Sequence, residues 1–274
     1  VLGGSTPADV ERVAAVYGPL AERCAAQDRA CPIVRTDVAS AETIKYASNA
    51  FLSTKISFIN EMANLCDCVG ADVDAVADGM GLDARIGRHF LNAGIGYGGS
   101  CFPKDTRALD FIATLNGYQF DLLKAVIDVN NRQRLLPVIH LAQALPDLHE
   151  RTVAILGIAF KPHTDDVRES PALDIVPLLL EEGATVRCYD PLAAPVELGE
   201  AVRCDSVWDA IDGASAVVLV TEWPEFVELD WARVRSAMAE PAIVFDGRNA
   251  LDRARIEAAG CAYMAVGRSG AHRS

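Results

Sequence analysis

The second half of the sequence restricts the fold more than any other feature. From residue 147 onward, short apolar runs return at Val153–Leu156, Val186–Tyr189, Val217–Val220, Ile243–Phe245 and Tyr263–Val266, separated by helical or loop stretches. Strands buried on both faces need cover on both, and parallel neighbours are joined only through long crossovers that helices supply. The alternation predicts an α/β fold with a doubly wound, Rossmann-like parallel sheet over 147–266. Within it, Ser170-Pro171 opens a helix and Gly183 closes it. The tail, 267–274, reads as disordered.

Residues 38–146 read as a helical central domain. Ser40 is the expected cap of a long helix that runs to Gly70, with Glu42 in its first turn. Its apolar residues (Ile44, Phe51, Leu52, Ile56, Phe58, Ile59, Met62, Leu65) lie on more than one side, which predicts a helix buried in a bundle. A shorter helix over Val73–Met80 precedes the Gly-rich stretch Gly94–Cys101. Another helix opens at Pro103 and stops near Asn116-Gly117, and Pro137 should kink or divide the pattern over Phe120–Ala144. Residues 1–37 read as a helix entered through Ser5-Thr6-Pro7, then an extended stretch at Ile33-Val34. Such a segment cannot bury a core alone and needs a sheet to join, which the sequence does not supply. With neither an initiating Met nor a signal-peptide pattern at Val1-Leu2-Gly3-Gly4, it reads as a chain entered partway.

Charge narrows the partners. With 25 basic and 38 acidic residues the net charge is -13, which argues against nucleic acid and anionic membranes. Any anionic ligand must be held by a few local cations and helix N-termini. No apolar run approaches the roughly 18 residues of a membrane span. The 8 cysteines show no CxxC or Cys/His metal spacing, so they read as reduced thiols of a cytoplasmic protein with no metal site. All but Cys101 read as packing.

Cys101 stands in Gly98-Gly99-Ser100-Cys101-Phe102-Pro103-Lys104-Asp105. Pro103 suits the first turn of a helix, which sets Cys101 at that helix's N-terminus, where unpaired N–H groups and the macrodipole favour a thiolate. Lys104 adds positive charge, the glycines permit close backbone approach, and Asp105 one turn along could orient or deprotonate a water. Local physics supports equally a buried Cys in a Gly-rich turn beside solvated Lys104 and Asp105. Lys45 and Asn49, spaced i,i+4 on the long helix, share a face and form a two-donor site suited to an oxyanion, or else Lys45 snorkels to solvent. Glycines 94, 96, 98 and 99 follow no strand, so they are not a dinucleotide fingerprint. Lys161 and Arg248 follow strands Val153–Leu156 and Ile243–Phe245, at the carboxyl ends where open sheets bind ligands. Arg168 could equally be half of a surface ion pair worth under ~1 kcal/mol.

Together these segments resemble the UDP-glucose/GDP-mannose dehydrogenase family. The resemblance is carried, in order, by Ala41-Glu-Thr-Ile-Lys-Tyr-Ala-Ser-Asn49, Asn60-Glu61, Asp83-Ala-Arg-Ile-Gly87 and Phe90 through Asp105. It continues through Gly157-Ile-Ala-Phe-Lys161, Asp166-Val-Arg-Glu-Ser170, Tyr189-Asp-Pro191 and Phe245-Asp-Gly-Arg248. It implies NAD-dependent four-electron oxidation of a nucleotide sugar's C6 alcohol to a carboxylate, as from UDP-glucose to UDP-glucuronate. By the same resemblance Cys101 forms the thiohemiacetal and thioester, Lys45 and Asn49 steady the oxygen, and Asp105 serves the hydrolytic water. Phe90, Leu91, Asn92, Ala93, Gly94 and Gly98 match a loop around sugar and diphosphate, and Lys161 and Arg248 match substrate contacts. Arg85 matches an arginine offered to a neighbouring subunit's site, which implies a homodimer through the central helices. Lys104 and Arg168 match positions that reach the NAD.

The departure lies at the front. The family's opening strand, GxGxxG turn and ribose-binding acid are missing, residues 1–37 resemble only the end of that domain, and the expectation is weak NAD binding and an inactive chain. Ser100, where the N-acetylmannosamine branch typically has His, favours the UDP-glucose branch. The alternatives are the same chemistry on GDP-mannose or a UDP-N-acetylhexosamine, and a non-catalytic sugar-nucleotide-binding dimerisation module.

Overall fold

The computed structural model describes residues 1–145 and 147–268. Pro146, at the expected boundary, and residues 269–274, expected to be disordered, lie outside the described residues. The chain divides into two compact units, Val1–Phe51 and Leu52–Ser274, so the division falls inside the long helix.

In the first unit, β1 (Leu2–Gly3), α1 (Pro7–Ala25) and β2 (Arg35–Thr36) form a small βαβ arrangement, with β1 and β2 parallel. The expected sheet is thus represented by a two-stranded pair, and the extended stretch pairs two residues later than Ile33-Val34. Thr6 caps α1 by accepting from the Asp9 N–H, and Val10 and Ala14 face inward while Val13, Tyr17 and Leu20 are exposed. Next comes α2 (Val38–Val69). Its cap is Asp37 rather than Ser40: the Asp37 carboxylate accepts the Ser40 N–H at 2.8 Å and its hydroxyl at 2.7 Å. Those bonds hold the Asp37 carboxyl below the usual carboxylate range.

In the second unit, Gly70 ends α2, taking positive φ while its N–H donates to the Cys66 carbonyl. The expectation that α2 is buried all round fails: Ile59, Ala63 and Cys66 are buried, but Phe58, Leu65 and Val69 face solvent. Then come α3 (Val73–Gly81), α4 (Phe102–Leu115), α5 (Asp121–Gln133) and α6 (Leu136–Ala144). Pro137 divides the last pair as expected, standing in the first turn of α6, where a missing N–H costs nothing.

The remaining elements are β3 (Thr152–Leu156), α7 (Ala172–Glu181), β4 (Thr185–Tyr189), β5 (Val202–Arg203), α8 (Val207–Ile211) and β6 (Ala216–Leu219), then α9 (Pro224–Val227), α10 (Trp231–Ala237), β7 (Ile243–Asp246), α11 (Arg253–Ala258) and β8 (Ala262–Ala265). The sheet is wholly parallel in the order β5-β4-β3-β6-β7-β8. All five expected strands are present. The edge strand β5 was not legible, being two exposed residues with no apolar run. Ile155, Val218, Val244 and Phe245 are fully enclosed, each burial worth roughly 1.5–3 kcal/mol.

Chain direction across the sheet reverses between β3 and β6, which opens a crevice at their carboxyl ends. Two buried aspartates shape its loops. Asp190 accepts the N–H groups of Ile158, Ala159, Leu192 and Ala193, and Asp246 accepts those of Arg248, Ala250 and Leu251. Gly157 leaves β3 at φ +101, where a Cβ would collide with Thr221. The tail expected from Gly267 is ordered at its start. Gly267 donates to the Asp67 carboxylate at 2.9 Å and accepts from the Val73 N–H at 2.9 Å, and Arg268 Nε reaches Asp74 at 2.7 Å.

Candidate active site

The stretch Gly94–Gly99 has little regular structure, so its buried backbone groups need partners from elsewhere. Side chains supply most of them. The Gly94 N–H donates to Asn60 Oδ1 at 2.9 Å, and Gln133 Nε2 donates to the Gly94 carbonyl at 2.9 Å. Arg248 Nη1 donates to the Gly96 carbonyl at 3.0 Å. Asn130 serves both sides of Tyr97, accepting its N–H at 2.8 Å and donating to its carbonyl at 3.1 Å. Arg134 Nη2 donates to the same carbonyl at 2.8 Å, and Gly99 donates to the Arg168 carbonyl at 3.0 Å. Gly98 passes so close to the Glu169–Ser170 backbone that a Cβ would fall on the Glu169 carbonyl oxygen. Only glycine fits there.

This loop forms one wall of a cleft of about 620 Å³ in the second unit. Phe90, Asn92, Ala93, Gly94 and Arg248 line it, joined by Asn60, His89, Tyr97, Glu222 and Asn249. Phe90 holds φ at +65, a strained value for a bulky residue, and its ring packs edge-on against Phe102 at 6.2 Å. Leu91 is 2% exposed and belongs to the hydrophobic core, so its part in the loop is packing plus backbone. Asn92 is oriented by Arg88, whose Nη1 donates to Asn92 Oδ1 at 2.7 Å.

Three buried polar atoms around the cleft have no hydrogen-bond partner among the described residues: Asn60 Nδ2, Arg248 Nη2 and Glu222 Oε2. Arg248 is braced by Nε to the Val220 carbonyl at 2.6 Å and by the Glu222 carboxylate at 3.5 Å, and burial pulls its guanidinium below its ordinary value. Orphaned buried donors are costly, and two donors beside an acceptor suit a polar ligand.

Cys101 occupies the N-cap position of α4 with its thiol exposed, and Ser100 Oγ lies 3.9 Å from its sulfur. The Asp105 N–H bonds the Cys101 carbonyl at 2.9 Å, which sets Asp105 one turn along. Asp105 is buried and receives the Lys104 ammonium at 2.5 Å. Arg168 is exposed and pairs with Asp166 at 2.8 Å. Its guanidinium sits above its ordinary value, first through that hydrogen bond and charge, and in smaller part through the Cys101 sulfur. Asp166 is lowered by the same bond.

The structure thus brings Phe90, Asn92, Ala93, Gly94 and Arg248 to one cleft, and Cys101, Lys104 and Asp105 to one helix start. Gly98 lies on the loop between them. Lys161 is exposed, with its ammonium 5.3 Å from the Phe160 ring centre, and does not line the cleft. Arg85 stands in solvent at 89% exposure, tied to Asp83 at 2.6 Å. Lys45, exposed, and Asn49, half-buried, lie one turn apart on α2 in the first unit.

Sequence reading missed Asn130, Gln133, Arg134 and Glu222. A signal existed for the first three: i, i+3, i+4 spacing puts them on one face of a helix. Among the described residues, no group of His, Cys, Asp and Glu could hold a metal ion, and no helix is long and apolar enough to cross a membrane.

Comparison with known proteins covers both parts. Residues 39–132 match the UDP-glucose/GDP-mannose dehydrogenase family, central domain, and residues 154–253 match that family's UDP binding domain. UDP-glucose 6-dehydrogenase TuaD of Bacillus subtilis (strain 168) is 51% identical over 86% of this chain and 52% of its own length. UDP-glucose 6-dehydrogenase of Pseudomonas aeruginosa is 48% identical over 83% of this chain and 52% of its own. The chain spans about half the length of these curated relatives. Among solved structures, a UDP-glucose dehydrogenase from Pyrobaculum islandicum superposes with a TM-score of 0.82 at 35% identity, covering 96% of this chain and 57% of that one. Matched in its helical part and in its sheet, in the order in which they occur, the chain belongs to the UDP-glucose/GDP-mannose dehydrogenase family.

Proposed function

We propose that this chain carries the nucleophile and the nucleotide-sugar site of an NAD-dependent UDP-glucose 6-dehydrogenase. The observation that carries the reading is the loop itself: one end walls the 620 Å³ cleft, and the other delivers an exposed Cys101 to the start of α4. In this reading residues 38–146 supply the nucleophile and a dimer face, and residues 147–266 bind the uridine nucleotide. Residues 1–37 close a dinucleotide-binding part.

The chemistry follows from the groups present. Cys101 sulfur adds to the C6 aldehyde, forming a C–S bond, and the carbonyl oxygen becomes the hydroxyl of a thiohemiacetal. Loss of hydride from that carbon and of the proton from its hydroxyl leaves a thioester. Water attacks it, the C–S bond breaks, and the carboxylate leaves with the thiol restored. Lys45 and Asn49 offer donors to the C6 oxygen while it carries negative charge. Asp105, held against Lys104, orients the water and takes its proton. NAD, when bound, supplies the hydride acceptor for both oxidations. Lys104 and Arg168, exposed cations near Cys101, would reach the bound NAD and hold it there.

The diphosphate and sugar fall to the cleft, where Arg248 and Asn60 have unmatched donors. Lys161 meets the nucleotide from the β3 end, and Arg85 reaches a second subunit. Ser100, beside Cys101, favours glucose over an N-acetylated sugar.

Titration calorimetry tests this reading. UDP-glucose and UDP should bind this chain, with GDP-mannose at least about tenfold weaker because the nucleobase contacts are then unmatched. Preference for GDP-mannose would overturn the substrate assignment. Absence of binding by any nucleotide sugar would overturn the reading as a whole.

A further inference from the structure

We infer that Arg134, at the end of α5, is a positioning residue for Cys101, acting through the Tyr97 carbonyl. The inference deepens the reading of Cys101 as nucleophile and rests on it. Arg134 is 8% exposed at its side chain and joins three separate segments. Nη2 donates to the Tyr97 carbonyl at 2.8 Å and to the Glu169 carbonyl at 3.2 Å, while Nη1 pairs with Asp174 at 2.5 Å.

Those two carbonyls belong to the two backbones that meet at Gly98. Two carbonyl dipoles facing one another repel, and a single cation between them turns that repulsion into a clamp. On one side of the clamp the chain runs through Gly98, Gly99 and Ser100 to Cys101, with no regular structure to hold its course. On the other side, Glu169 sits at φ +54 and its carboxylate takes Arg107 from α4 at 2.5 Å. Arg168, next to Glu169, accepts the Gly99 N–H through its carbonyl. The start of α4 is therefore fixed to the 166–170 turn at both its loop and its Arg107 side, with Arg134 at the junction. Asn130, one turn earlier on α5, is the second donor to the Tyr97 carbonyl.

A planar fork reaches two acceptors at once, whereas an ammonium is a point donor. Arg134→Lys keeps the cation but has one terminal nitrogen, so it cannot hold Asp174 as Nη1 does and both carbonyls as Nη2 does. Three readouts follow: hydrogen exchange at the Gly99 amide, exchange in β3 as an internal control, and alkylation of Cys101 relative to the exposed Cys68.

The expected result is Gly99 exchange about tenfold faster with β3 unchanged, the mark of a local rather than global opening. Alkylation of Cys101 relative to Cys68 should slow by about threefold or more as the thiol leaves the helix N-terminus. A purely structural role for Arg134 would lower the melting temperature without moving that ratio. Unchanged Gly99 protection and an unchanged ratio would overturn the inference.

Should Arg134→Lys also lose protection in β3, Asn130→Asp decides the matter. It keeps an acceptor for the Tyr97 N–H but sets a carboxylate oxygen, which cannot donate, against the Tyr97 carbonyl, so the same local loosening and slower Cys101 are expected. No change in that variant would equally overturn the proposal. Failure of the unsubstituted chain to bind UDP-glucose would count against the substrate reading alone, since exchange and alkylation need no ligand.

Discussion

Arg248 and Gly96 lie 152 residues apart, yet Arg248 Nη1 donates to the Gly96 carbonyl at 3.0 Å and so ties the end of β7 to the glycine loop. The same guanidinium keeps Nη2 buried and unpartnered at the cleft. Arg248→Lys should therefore weaken UDP-glucose binding by about tenfold or more, since a bidentate fork is lost where a desolvated donor awaits a ligand. Calorimetry against the unsubstituted chain measures it, and unchanged affinity would mean that Nη2 does not face the ligand.

Thiol reactivity should rank by exposure and surroundings. Cys101 is exposed at a helix N-terminus. Burial pushes Cys188 up to about 12, and burial also raises Cys66 and Cys261. Cys24 is raised as well, with Cys31 adding to the effect. Timed alkylation near neutral pH with peptide mass spectrometry should find Cys101 modified first and Cys188 last. Earlier modification of Cys24 or Cys66 would contradict the activation argument.

Acid sensitivity should appear before the carboxylates titrate. Burial against the edge of Phe245 lowers His140 below its ordinary value, opposed in smaller part by Asp67. Between the folded and unfolded values the unfolded chain binds the extra proton, so stability is full above roughly pH 6.5 and falls as pH drops below it. Melting temperature should decline from pH 7 toward 5.5, and less steeply in His140→Gln. Equal slopes would assign the decline to other groups.

An apolar surface on the helical part should drive self-association. Phe111 and Leu115 on α4 and Tyr118 and Leu122 beside them are all more than 55% exposed, as large apolar groups rarely are without a partner. Sedimentation should show a dimer, and Leu115→Glu should shift it toward monomer by burying a charge worth several kcal/mol. A dimer undisturbed by that substitution would place the interface elsewhere.

Much of the molecule was legible in residue order. Apolar runs separated by helical stretches predicted β3, β4, β6, β7 and β8, and Pro137 predicted the break between α5 and α6. Periodicity did not report which side of α2 is covered, because Phe58 and Ile59 are equally apolar and only neighbours distinguish them. Ser40 and Asp37 are both good caps, and the bonds made by the Asp37 carboxylate separated them.

Pro103 in a first turn, glycines before it and Asp105 after it are local facts, and they placed Cys101 at a helix start before any fold was known. Binding of the loop's backbone by Asn60, Asn130, Gln133, Arg134 and Arg248 is non-local, and in sequence those residues look like ordinary polar positions. Local order follows from dihedral preferences and apolar period, which act within a few residues. A polar side chain acquires its role only when folding removes water and leaves a carbonyl within its reach.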